Sequence, residues 1–205
     1  MLEIDKHFIK RTFKIFLFSL TIMILTTVIT YSIDINIKEI IKNIDSRIPD
    51  SVKESSGLVS VYKYVINNVF ILPLQMLILS LIPIQFLYLF NIIYSSVLPG
   101  IVIGILIKID IYKAITNIVS IIPHTIIEIL GFCLFASALF QFNKAIRSKI
   151  KGIFKKHSTK NTSVIKTFVN VMKVYIFVVI PVIILAAFCE VYLRAFLYAT
   201  ISNIL

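Results

Sequence analysis

A chain of 205 residues with 59% hydrophobic side chains and a mean hydropathy of +0.97 is too apolar for a soluble domain, whose apolar share is nearer about half, so its class is polytopic membrane protein. The net charge of +11 does not point to nucleic acid, because the basic residues gather in two short stretches flanking apolar spans, as charges that orient a membrane protein do. The two cysteines, Cys133 and Cys189, lie in apolar segments without CxxC or metal-ligand spacing and read as small core residues.

In chain order, Lys6, Lys10, Arg11 and Lys14 precede an apolar run over residues 15–33 with no small-x-small cleavage site after it. This reads as an uncleaved anchor with its N-terminus in the cytoplasm. Residues 34–62 are then outside. There Ile37, Ile40, Ile41, Ile44 and Ile48 recur at helical spacing, with Lys38, Glu39, Lys42 and Asp45 between them. The pattern predicts an extracellular amphipathic helix, lying on the outer membrane surface or against the protein's own outer face. Between Lys63 and Lys108 stand 44 residues without a charge, and since about 20 cross a bilayer, the run holds two spans, 64–84 and 90–107. Asn67 and Asn68 mark the outer entry, and a turn falls between Pro83 and Asn91. Gly100 and Gly104 form a GxxxG pair suited to close helix approach, within the chain or in a homo-oligomer.

Residues 114–143 contain no lysine or arginine, and as one helix these 30 residues extend about 45 Å, some 15 Å more than the roughly 30 Å hydrocarbon core. Proline removes an intrahelical hydrogen bond and suits a helix's first turn. Pro123 is therefore predicted to break the helix, leaving residues 114–122 interfacial or re-entrant and starting span four at 123–143. His124 and Glu128 share one face of that span, and ionisable groups inside a membrane span are functional candidates by default. Residues 144–173 carry nine basic residues and no acid, which reads as a cytoplasmic loop that sets topology and attracts anionic lipid or a partner. Span five, 174–193, contains Pro181 and ends with Glu190 and Arg194 at i, i+4. The expected fold is a single all-α integral membrane domain of five transmembrane helices, N-terminus inside and C-terminus outside.

Depth decides whether the polar groups meet. With span five starting near Val174, Glu190 lies about 6 Å below the outer boundary, and a span starting at Pro123 brings Glu128 to a similar depth. An unbroken helix from Ala114 would separate the two acids by roughly 15 Å. With the break, Asn67, Asn68, His124, Glu128, Glu190 and Arg194 form one polar cluster under the outer surface. Such a cluster suits a structural network in which Arg194 neutralises a glutamate, a site for a lipid headgroup or peptide, or a proton relay through His124. One histidine with two separated carboxylates is a weak zinc signature, so no metal is expected. Nor is a cofactor or catalysis. GxSxG, HExxH and a glycine-rich phosphate loop are all absent from the sequence, so ATP chemistry would come from a partner.

Three of these stretches resemble the stage II sporulation protein M family. Ile122-Pro123-His124-Thr125-Ile126-Ile127-Glu128 is similar to that family's Pro-His-Gly-apolar-apolar-Glu signature, with Thr125 at the glycine. Asn67-Asn68 matches its paired asparagines. Leu185-Ala186-Ala187-Phe188-Cys189-Glu190 matches its final-span Leu-Ala-Ala-apolar-apolar-Glu. Ile129-Leu130-Gly131 stands where Leu-Pro-Ala is usual, and many glycines of spans two and three are missing, which marks a divergent member. The resemblance implies a non-enzymatic scaffold or accessory subunit of cell-envelope machinery in the bacterial cytoplasmic membrane. It also allows a membrane component of circular-bacteriocin maturation, export or immunity beside an ABC-type ATPase. A proton-coupled lipid or solute transporter is a third expectation, from the residues themselves. The implied partners are membrane lipids, other membrane or envelope proteins, and in the bacteriocin case an ATPase subunit or a hydrophobic peptide.

Overall fold

The computed structural model describes residues 6–33, 58–154 and 163–204, and these form five long helices: α1 (Phe8–Ser32), α2 (Leu58–Leu81), α3 (Leu87–Ile109), α4 (Ile111–Phe154) and α5 (Val164–Ser202). Each is long and apolar enough to cross a membrane. The chain is a membrane protein of five apolar helices, as its composition requires. The amphipathic segment expected before Lys63 lies outside the described residues up to 57; from Leu58 onward its residues begin α2.

The predicted break at Pro123 is not there. α4 is a single helix of 44 residues with Pro123 inside it, so residues 114–122 are neither re-entrant nor separate. A proline is tolerated within a membrane helix when neighbouring helices and hydroxyl side chains support the backbone around it. Both supports are present. Ser120 donates to the carbonyls of Thr116 (2.8 Å) and Asn117 (2.9 Å), and Thr125 to that of Ile121 (3.1 Å). α4 also packs against all four other helices, which hold it on both sides of the proline.

The second correction concerns residues 144–173, expected as a loop. α4 continues to Phe154 and α5 starts at Val164, capped by the Ser163 side chain accepting from the Lys166 amide at 3.3 Å. The reason is local. Val164, Val171 and Val174 recur at helical spacing, with Val171 and Val174 buried against α4, while the lysines take the opposite face.

α4 is the centre of the bundle. Phe132, Cys133, Phe135, Ala136, Leu139 and Phe142 are buried along it, and Gly131 lets Ile183 of α5 approach closely. The Gly100 and Gly104 pair faces α1 rather than a second copy. A Cβ on Gly100 would stand 2.6 Å from the Met23 carbonyl oxygen, and one on Gly104 2.7 Å from Thr30 Cβ. Those two helices touch backbone to backbone, which only glycine permits.

The end carrying most of the basic residues is fastened by side chains. Arg11 donates to the carbonyl (2.9 Å) and hydroxyl (3.1 Å) of Ser137 and lies over the Phe140 ring. Asn143 donates to the carbonyls of Ser80 and Ile82, both at 2.8 Å, satisfying the end of α2 where no helical partner exists. The α2–α3 turn then needs a left-handed residue, and Phe86 takes it with φ of 71°, its ring stacked on Phe140.

Candidate functional site

Toward the opposite end, α2, α4 and α5 converge on a set of ionisable side chains. His124 Nε2 stands 2.7 Å from Glu190 Oε2, and Arg194 Nη1 donates to Glu190 Oε1 at 2.5 Å. Glu190 is thus held between one basic group from α4 and another from its own helix. Four residues along α4, Glu128 accepts a hydrogen bond from the Tyr64 hydroxyl of α2. Tyr64 and His124 also meet edge to face, ring centroids 6.5 Å apart. Asn67 donates to Asn68 Oδ1 at 2.8 Å, and both line the same cavity as Tyr64, His124, Glu128 and Arg194.

All six polar residues expected to gather therefore surround one place. Arg194 pairs with Glu190, its i, i+4 neighbour, and no hydrogen bond ties the asparagines directly to the acids among the described residues. No set of three metal-ligating side chains converges among the described residues. Tyr64 is the member that sequence reasoning missed. Its signal was present: it lies four residues before Asn68, on the same helical face, and a phenol buried in an apolar span needs a polar partner.

The meeting happens without a helix break because the assumed starting points were wrong. α4 and α5 both extend past residues 144 and 173, and their antiparallel contact is set by large side chains at the basic end. Phe142 meets Phe168 with ring centroids 5.5 Å apart, and Phe135 meets Tyr175 at 5.1 Å. From there both helices rise in register until His124 reaches the level of Glu190.

Prolines and π-turns shape the helices that supply these groups. α2 widens into a π-turn at Ile66–Ile71, just before Pro73, and α5 does so at Tyr175–Val179, just before Pro181, and again at Cys189–Leu193. Pro73 has no N–H for the carbonyl four residues back, that of Val69. The freed oxygen accepts a hydrogen bond from the Tyr175 hydroxyl of α5. The wide turn that results holds Asn67 and Asn68, and the third one holds Glu190. π-turns of this kind are frequent at functional sites.

The cavity itself has a volume of about 630 Å³ and lies between α2 and α3, with α4 as its floor. One side is polar: Tyr64, Asn67, Asn68, His124, Glu128 and Arg194. The other is the apolar α3 stripe of Tyr94, Leu98 and Val102, each roughly half exposed on the outer flank of the bundle. α2 and α3 are held together nearer their shared turn, where Asn91 donates to the Leu72 carbonyl (3.3 Å) and to Gln75 (3.2 Å).

A protein-family model described as Stage II sporulation protein M matches residues 12–193, a stretch that includes every member of the cluster except Arg194. No curated protein and no solved structure matches the chain.

Proposed function

We propose that this chain, which belongs to the stage II sporulation protein M family, is a non-enzymatic scaffold or accessory subunit of envelope machinery in a bacterial cytoplasmic membrane. The observation that carries this reading is the engagement of the buried ionisable groups. Glu190 is held by His124 and Arg194, and Glu128 by Tyr64, so each acid ties two helices together or steadies one. The paired groups brace a wall of the cavity, which supports holding a partner there.

In the proposed orientation the basic end, with Lys10, Arg11, Lys14, Lys144, Arg147 and Lys151, faces the cytoplasm, and the cavity lies in the outer leaflet. Affinity purification from native membranes tests the role. Wall-facing or membrane envelope proteins recovered in stoichiometric amount are the expected result, and a chain that elutes without any such partner overturns it.

The bacteriocin-type role, beside an ATPase, has one observation in its favour: a cavity with a polar floor and an apolar flank fits an amphiphile better than a folded protein surface. Co-recovery of an ATPase subunit and a hydrophobic peptide would select it. The transporter reading draws on His124 and Glu128, which share one face of α4 and line the cavity, and predicts a pH-dependent flux in proteoliposomes that Glu128→Gln abolishes; no flux in the wild type removes it.

A further inference from the structure

The hydrogen-bonding capacity of the cavity is unbalanced. His124 Nδ1 and Glu190 Oε2 are both buried without a hydrogen-bond partner, although Oε2 stands 2.7 Å from His124 Nε2 and the ring lines the cavity. His124 Nε2 meets the Thr125 hydroxyl at 3.3 Å, and because that hydroxyl donates to the Ile121 carbonyl, the ring nitrogen is the donor, which leaves Nδ1 as an acceptor in the singly protonated ring. His124 as a residue is only 8% exposed. Glu128 uses one carboxylate oxygen on Tyr64, leaving the other, and has no salt-bridge partner among the described residues. Asn67 spends its amide N–H on Asn68 and keeps its Oδ1. Three acceptors around one cavity, one of them on a carboxyl without a basic partner, call for a cation rich in N–H donors.

We propose that the cavity binds the primary ammonium headgroup of an aminophospholipid such as phosphatidylethanolamine. Glu128 supplies the countercharge, with His124 Nδ1 and Asn67 Oδ1 as further acceptors. The remaining N–H groups of Arg194, beyond the one given to Glu190, face the headgroup phosphate. The choice of a lipid follows from the flank. Leu98 and Val102 belong to an apolar membrane-spanning helix and are 44% and 47% exposed, so the cavity borders the surface that acyl chains cover. A volume of about 630 Å³ falls within the range of small-ligand sites. The inference goes beyond the scaffold role and does not depend on which envelope partner the chain serves.

Native mass spectrometry of the full chain in detergent micelles tests it, with short-chain phosphatidylethanolamine, phosphatidylcholine and phosphatidylglycerol titrated in turn. The expected result is saturable binding of phosphatidylethanolamine at least about tenfold tighter than of phosphatidylcholine, whose quaternary ammonium carries the same charge but no N–H. Glu128→Gln, which keeps an acceptor for Tyr64, is expected to remove that preference. Leu98→Trp, on the exposed flank, is expected to lower occupancy by filling the space. Equal affinity for the ethanolamine and choline lipids overturns the proposal, as does wild-type preference in Glu128→Gln. Displacement of the lipid by a lysine-bearing hydrophobic peptide at lower concentration overturns it in favour of a peptide site. None of these outcomes bears on partner recovery from native membranes, so the two readings fail separately.

Discussion

Glu128 is one helical turn from His124, yet the two meet different helices, and that division explains how acids persist inside an apolar bundle. Ionised groups in hydrocarbon are expensive unless paired and hydrogen-bonded. Glu190 has two basic neighbours and Glu128 a single neutral donor, Tyr64. Because that partner is a phenol, Glu128→Ala should cost about 1–3 kcal/mol, the range for leaving a buried donor unsatisfied. Tyr64→Phe should cost a similar amount, and the double variant little more than either one. Thermal unfolding in detergent micelles checks this; strictly additive losses would show that the two side chains do not act as a pair. Of the residues here, His124, Glu128 and Glu190 were recognisable in the sequence as charges in apolar runs. Tyr64 was not, because a tyrosine at a span boundary is equally at home as an interfacial anchor.

Along the helices, two devices set how closely elements approach. The first is the glycine pair of α3. A Cβ on Gly100 meets a backbone oxygen that cannot rotate away, so Gly100→Ala must push α1 and α3 apart, at about 1–3 kcal/mol. Gly131→Ala is the contrasting case. There the nearest atom is Ile183 Cγ1 at 3.0 Å, a side chain able to shift, and alanine's higher helix propensity offsets up to about 1 kcal/mol. Midpoint temperatures of the two variants should therefore differ clearly, with Gly100→Ala the lower. The second device is the proline-freed carbonyl of Val69. Tyr175→Phe should destabilise by about 1–3 kcal/mol through an unsatisfied oxygen, and Pro73→Ala, by restoring the missing N–H, should recover part of that loss. No recovery in the double variant would mean that the Tyr175 hydroxyl serves another purpose.

For the molecule as a whole, five helices alternate in direction, so the two basic regions come to one end and the polar cavity lies toward the other. The alternation brings residues distant in sequence to one level: Arg11 with Ser137, Asn143 with Ser80, Lys108 with the Ile33 carbonyl, and His124 with Glu190. Whole-cell labelling with a membrane-impermeant maleimide tests the orientation, on a background with Cys133 and Cys189 replaced by alanine. Asn203→Cys is expected to react and Ser163→Cys to remain protected until the membrane is opened. The reverse pattern would turn the bundle over and place the cavity in the inner leaflet.

Spans, polar candidates and family were legible along the chain, because transfer of a helix into hydrocarbon depends on a local window of about 20 residues whose contributions add. The fate of Pro123 and the register of α4 against α5 were not. A proline's effect depends on what packs around it, and neighbouring helices with the hydroxyls of Ser120 and Thr125 hold the helix through it. The level at which His124 finds Glu190 depends on aromatic contacts some 18 to 22 residues away, Phe142 with Phe168, between helices whose lengths were underestimated at the basic end. Such contacts join residues distant in sequence, so they arise from three-dimensional packing, which no local window contains.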